Sequence, residues 1–322
     1  MKTILHHVSI INNDIKAVFN FYRNILGLKL LMKTVNQDDH TMYHIFFSDA
    51  EGRPGTEVTF FEMKEGQQNR FGTNAIERLM FKVPSKEALM YWMHRFDEYG
   101  VCHYGIERGH QRDVLRFEGP DDTFLGLTVM HEVEDVDQYY THSRTEVPAA
   151  YQIQALDTVH LRVRYPEATI EQLVDYYGWH VEGETPYFDT GRTVTILSNR
   201  RTEMYQEVHV VHDIDSPLEV QGFGGIHHVA FSTEDRTSLE RIESQLDELN
   251  MMHSPIKNRG FFTSIYYRDP NLVLFEVATM KLNQHTEQDD YSVFEQIPLH
   301  LPEYLASERE RIEAKLKHTS EQ

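Results

Sequence analysis

Four times along the 322 residues, an apolar strand leads into an amphipathic helix of three to four turns and returns through short strands broken by Gly, Pro, Asn or Asp. A repeat of this kind decides the architecture before any single residue does. In the first copy HHVSI precedes Ile15, Val18, Phe19, Tyr22, Ile25 and Leu26 on one helical face, Gly27 stops the helix, and LKLLMKTV, YHIFFSD and TEVTFFEM follow. The second opens with IERLMFKV, places Leu89, Trp92, Met93 and Phe96 on a helix ended by Gly100, and returns through DVLRFEG and FLGLTVM. The third opens with LDTVHLRV, carries Ile170, Leu173, Val174 and Tyr177 on its helix, and stops at Gly178. The fourth reads IHHVAFST, then Leu239, Ile242, Leu246 and Leu249, then FFTSIYYR, the turn DPN and LVLFEVAT.

Aligned on their opening strands, positions 7, 78, 158 and 228 correspond, with spacings of 71, 80 and 70. The unit is βαβββ, and helix followed by hairpins argues an α+β fold of four tandem modules rather than a doubly wound parallel sheet. Linkers fall near 64–74, 133–153 and 212–224. At roughly 150 residues per domain the chain divides into an N-terminal domain at 1–140 (modules one and two), a C-terminal domain at 150–281 (modules three and four) and a tail at 282–322. The tail contains the acidic stretch EQDDY and then PEYLASERERIEAKL, which reads as a closing surface helix. A single βαβββ sheet leaves one face uncovered, so two modules should pair to close a cavity.

The aligned positions hold His7, Arg78, Thr158 and His228, so only the outer modules keep a histidine there, each within an HH pair. At the last strand, TFFEM and LVLFEVAT put Glu62 and Glu276 at what reads as the equivalent site, where module two has Thr128. The retained groups converge only if modules one and four pair, which brings His7, His228 and Glu276 to one cavity. Strand alternation sends one member of each HH pair inward. Two imidazoles and a carboxylate without thiolate form the facial set that suits non-haem Fe(II), with Mn(II) the competitor, and leave three positions for substrate and O2. A single histidine in a strand is more often a hydrogen-bonded structural residue; two pairs at the same module position favour metal ligation. Tyr266 falls across the final hairpin from Glu276 to within one residue of register, and Arg259 precedes Gly260 at the entry to that strand, where a fixed cation could stabilise an oxyanion.

Composition removes other classes. With 31 Lys+Arg against 51 Asp+Glu, the net charge of −20 repels phosphate backbones and argues against nucleic acid as a partner. No apolar run approaches 18 residues and MKTILHHVSIINND lacks the form of a signal peptide, so neither a membrane span nor secretion is expected. A single cysteine, Cys102, excludes an intramolecular disulfide and fits a reducing cytoplasm.

Together HHVSI, YHIFFSDAEGRPGTEVTFF, GGIHHVAF, NRGFFTSIYYRDPNLVLFE and LPEYLASERERIEAKL resemble the vicinal oxygen chelate superfamily. More narrowly, the chain is similar to the ring-cleaving dioxygenases that act on hydroquinones, over nearly its whole length to about residue 316. The resemblance implies an Fe(II) site at His7, His228 and Glu276, and supporting roles at His6, His227, Arg259 and Tyr266. It implies a small aromatic substrate, a para-diphenol opened between a hydroxylated carbon and its neighbour with O2 as co-substrate, often in quinone detoxification. Ser9 stands where such proteins commonly have threonine, and Glu62 where proline is usual. With Glu62 as a fourth ligand the set would resemble that of glyoxalase I, so a metal-dependent isomerase or lyase is an alternative. A non-catalytic protein that sequesters a metal or a small aromatic is another. Self-association into a homo-oligomer is left open.

Overall fold

A computed structural model describes residues 3–280 and 291–320. Module one comprises β1 (Leu5–Asn12), α1 (Ile15–Phe19), β2 (Lys29–Val35), β3 (Tyr43–Ser48) and β4 (Glu57–Glu62). Module two comprises β5 (Ala75–Val83), α2 (Lys86–Tyr99), β6 (His103–Arg108), β7 (Asp113–Glu118) and β8 (Phe124–Val129). Module three comprises β9 (Ala155–Val163), α3 (Pro166–Asp175), β10 (His180–Tyr187), β11 (Arg192–Ser198) and β12 (Glu207–His212). Module four comprises β13 (Ile226–Thr233), α4 (Arg236–Glu248), β14 (Lys257–Asn258), β15 (Thr263–Arg268) and β16 (Leu274–Thr279). The four βαβββ units read from the sequence are therefore present.

Two eight-stranded sheets result, ordered β14-β15-β16-β13-β1-β4-β3-β2 and β10-β11-β12-β9-β5-β8-β7-β6. The first joins modules one and four, and the second joins modules two and three, so each sheet takes one module from each half of the chain. Within each module the first and last strands run parallel, as β1 with β4 and β13 with β16, and the two modules meet through antiparallel β1–β13 or β5–β9. Residues 64–74 and 212–224 cross between the sheets side by side, bridging Gln68 to Phe223, Arg70 to Val220 and Thr73 to Leu218.

Each strand face has a separate task. Val8, Ile10, Val58 and Phe60 face a common apolar core with Val18, Tyr22 and Ile25 of the first helical segment. That segment starts with Asp14 accepting from the amides of Lys16 and Ala17, then widens into a π-helical turn over residues 20–25, closed by Leu26 N–H to Phe21 O at 2.9 Å. The wider turn buries Phe21 beside the expected positions. Buried Gln206 ties the sheets together, accepting from Leu5 N and donating to the carbonyls of Leu5, Gly55 and Leu156. The closing helix α5 (Arg309–Ser320) packs Ile312 and Leu316 with Leu305 against Val35 of β2. Most of EQDDY lies outside the described residues. Among the described residues no helix is long and apolar enough to cross a membrane.

Candidate metal centre and active site

The HH pairs owe their geometry to two β-bulges. Along β1–β13 the register runs Leu5 to Phe231, His7 to Ala230, Ser9 to His228 and Ile10 to Ile226, which leaves His6 and His227 as the extra, unpaired residues. A bulge re-aims a side chain. Here it turns His6 Nδ1 to within 2.9 Å of His7 Nδ1, and His227 Nδ1 to within 2.8 Å of His228 Nδ1.

The proton positions follow from one acceptor. His6 Nε2 lies 3.2 Å from the Thr279 carbonyl, which can only accept, so Nε2 carries the proton and His6 Nδ1 accepts from His7 Nδ1–H. His7 Nε2 is thereby left with its lone pair. The Nδ1–Nδ1 contact between His227 and His228 matches that of the first pair in atoms and length. Burial, then the adjacent His7 and His228, push His6 and His227 down to about 3, which keeps both neutral.

The two Nε2 atoms meet the Glu276 carboxylate. His7 Nε2 is 3.0 Å and His228 Nε2 2.9 Å from Glu276 Oε2, and the two nitrogens are 3.4 Å apart. Glu276 is fully buried, yet neither of its oxygens has a well-formed hydrogen bond. Burial alone would raise this carboxyl; His7 and His228 outweigh that and hold it well below the usual carboxylate range. His7 Nε2, His228 Nε2 and the Glu276 carboxylate thus converge on one buried point, and this His₂Glu donor set suits Fe(II) or Mn(II). The donor atoms of His6, His7 and Glu57 also converge. There, however, both His6 nitrogens are engaged, and burial, then Asp49, raises the Glu57 carboxyl well above its ordinary range.

The triad opens onto a cavity of about 400 Å³ walled by Phe46, Phe61, Phe261 and Phe262, with His227 also reaching it. Tyr266 is paired directly with Glu276 across β15–β16 and sets its ring edge-on to His228 at 5.6 Å. Burial, then Glu276, raises its phenol, so it stays a protonated donor. The Arg259 guanidinium sits 5.0 Å over the Tyr266 ring and pairs with Asp38 at 3.0 Å. Burial opposes its charge, but Tyr266 and Asp38 outweigh it.

Two expectations need correction. Glu62 is not the counterpart of Glu276: Ala230 is paired with Glu276, whereas Ser9, the matching residue of module one, is paired with Thr59. Glu62 is paired with Asn12 on the opposite face of the sheet, and its Oε1 lies 3.4 Å from Ile15 N at the start of α1. That orientation removes the fourth ligand on which the glyoxalase-type alternative relied. Thr128 is likewise displaced, because the matching position in module two is Gly126, paired with Met80. Sequence reasoning also missed His44. This cavity-lining residue of β3 hydrogen-bonds Thr59 Oγ1 at 2.9 Å, and Thr59 bonds Ser9 Oγ at 2.7 Å. The alternation of YHIFF, with His44 and Phe46 on one face, was the available signal.

The family described as Glyoxalase/Bleomycin resistance protein/Dioxygenase superfamily matches residues 4–144. A Bacillus subtilis (strain 168) protein named "Putative ring-cleaving dioxygenase MhqA" is 36% identical over 313 residues, covering 97% of this chain and 98% of its own. The chain belongs to this superfamily. Within the superfamily, the "Chlorohydroquinone/hydroquinone 1,2-dioxygenase" of Sphingobium indicum is 22% identical over 289 residues, 89% of this chain and 88% of its own. The crystal structure of a B. subtilis protein described as a "putative dioxygenase" shares the superfamily fold seen here, with a TM-score of 0.82 at 24% identity over 97% of this chain and 96% of that one.

Proposed function

We propose that the chain is a ring-cleaving dioxygenase that opens a hydroquinone-type ring with O2, with Fe(II) held by His7, His228 and Glu276. The observation that carries this reading is the convergence of two imidazole nitrogens and a carboxylate at the wall of an aromatic cavity. The names of relatives aligned over most of the chain support the reaction class, and one of them names hydroquinone. Bound there, the ion would lower the pKa of a ring hydroxyl and bring substrate and O2 together.

The side chains have separable tasks. His6 and His227 hold the ligand rings in the tautomer that bares Nε2. The phenylalanine walls bind the ring face and exclude water, which strengthens every polar interaction inside. Tyr266 O–H and His227 Nε2–H donate to oxygen atoms that gain charge, and Arg259 offsets that charge. Both atoms of O2 end in the product while one ring carbon–carbon bond breaks, so no external reductant is required.

The test is oxygen uptake. The chain is loaded anaerobically with Fe(II) and given 2-methylhydroquinone, beside a His228→Ala control and an iron-free blank for autoxidation. Stoichiometric uptake that is lost in the control is expected. Uptake at the blank rate with iron bound would overturn the reading.

A further inference from the structure

The sheet of modules two and three encloses a cavity of its own, about 260 Å³, that the proposed reaction does not use. Its register repeats that of the first sheet, with Met80 paired with Thr158 and Arg78 with His160, as Ser9 is with His228 and His7 with Ala230. The metal set is not repeated: Arg78 turns away to bond the Leu125 carbonyl, and among the described residues no third group of metal-ligating atoms converges there. A different wall stands in its place.

His160 and His209 stack at 4.8 Å with an interplanar angle of 18°. Each has one nitrogen tied down, His160 Nδ1 to Tyr187 O–H at 2.8 Å and His209 Nε2 to Glu207 Oε2 at 2.7 Å. The charges at the floor are already satisfied. Glu207 takes Arg112 at 2.8 Å and Tyr205 O–H at 3.1 Å, and Arg112 also holds Asp157 through two bonds of 2.8 Å. Met80, Val194 and Ile196 supply an apolar side. At the rim Phe188 lies 6.4 Å from His160, 27° from parallel, with the Arg116 guanidinium 4.1 Å over its ring. Phe188 holds this place at φ +46°, a conformation that a bulky side chain rarely adopts and that marks a position constrained by its surroundings.

The geometry points to a second ligand site: this cavity binds a small, neutral, single-ring phenol, its ring against Phe188 and the apolar side formed by Met80, Val194 and Ile196, and its hydroxyl on the remaining imidazole nitrogens, His160 Nε2 and His209 Nδ1. Neutrality follows from the floor, where Glu207 and Arg112 are already paired, and from Asp189, an exposed lining carboxylate that would repel a phenolate. A single ring follows from a volume below the roughly 300–1,000 Å³ of sites for larger ligands. The inference goes beyond the proposed reaction and does not depend on it.

Methionine methyl groups read the two cavities separately, since Met42 and Met63 line the first and Met80 the second. The full chain, labelled with carbon-13 at its methionine methyls, is titrated with 4-fluorophenol. A saturable shift of the Met80 signal is expected, retained in His228→Ala and weakened about tenfold in His160→Phe, the size of one lost hydrogen bond. Ile196→Phe, which fills the cavity, should abolish it, with the other methionine signals in place to report an intact fold. A Met80 signal that does not move while Met42 and Met63 respond, or one that moves equally in both cavity variants, would overturn the site.

Discussion

His6 and His227 are buried imidazoles that stay neutral because burial and a neighbouring ring push each of them down to about 3. In the unfolded chain they titrate near 6.5. Between those values the unfolded state binds protons that the folded state refuses, so stability is full above about pH 6.5 and is lost as pH falls toward 3. Two such groups cost the metal-free chain up to about 4 kcal/mol between pH 7 and 5. Urea unfolding at both pH values measures this, and His227→Phe should remove about half of the slope. A flat profile would contradict neutral imidazoles. The proposed ligands separate in the same residue-level way: Glu276→Gln should weaken Fe(II) binding at least tenfold in a chelator competition, whereas Glu62→Ala should leave it within about twofold. That His7, His228 and Glu276 meet could be read from the sequence because the doubled histidine recurs at one module position. Glu62 was misread because matching the Phe-Glu pair of TFFEM to that of LVLFEVAT ignores strand register, which pairs Thr59 with Ser9 as it pairs Glu276 with Ala230.

At the scale of elements, the repeat is a repeat of bulges as much as of strands. The extra residues on β1, β5, β9 and β13 are His6, Glu77, Asp157 and His227, each one place before an aligned position. In the first sheet the bulged residue orients a histidine. In the second it is a carboxylate, Glu77 bonding Arg162 at 2.9 Å and Asp157 bonding Arg112 at 2.8 Å. Element order and core faces were legible because hydrophobic periodicity reports them directly, whereas the bulges and the π-helical turn depend on pairings that no local pattern encodes. The linker between the halves is fastened by a buried charge. Lys82 of β5, fully buried, donates to Glu134 at 2.5 Å and to Tyr139 O–H at 3.2 Å. Removing one partner strands the other, so Lys82→Met should destabilise the chain by about 3–5 kcal/mol, and adding Glu134→Leu should restore part of it. Denaturant midpoints of the two variants check this; additive losses would show that the pair does not act as a unit.

For the whole molecule, the decisive fact is that neither half of the chain holds a complete sheet. The His7 strand β1 finds its antiparallel partner β13 more than 200 residues later, and β5 pairs with β9 beyond the linker. A fragment of residues 1–140 would retain the parallel pairs β1–β4 and β5–β8 but expose the β1 and β5 edges and the apolar face each sheet turns to the common core. It would carry His7 without His228 or Glu276. The expectation is that this fragment, made alone, shows no cooperative unfolding transition and no Fe(II) affinity above that of the unfolded chain. Fragment 141–322, made alone, should behave likewise. Mixed during refolding, the two should recover one transition and the proposed metal site together, because the β1–β13 pairing that completes the sheet also brings His7 to His228 and Glu276. Calorimetry with and without Fe(II) reads both properties at once. A 1–140 fragment that melts cooperatively by itself would mean that modules one and two form a self-sufficient unit, and that the pairing across the chain secures the site without securing the fold.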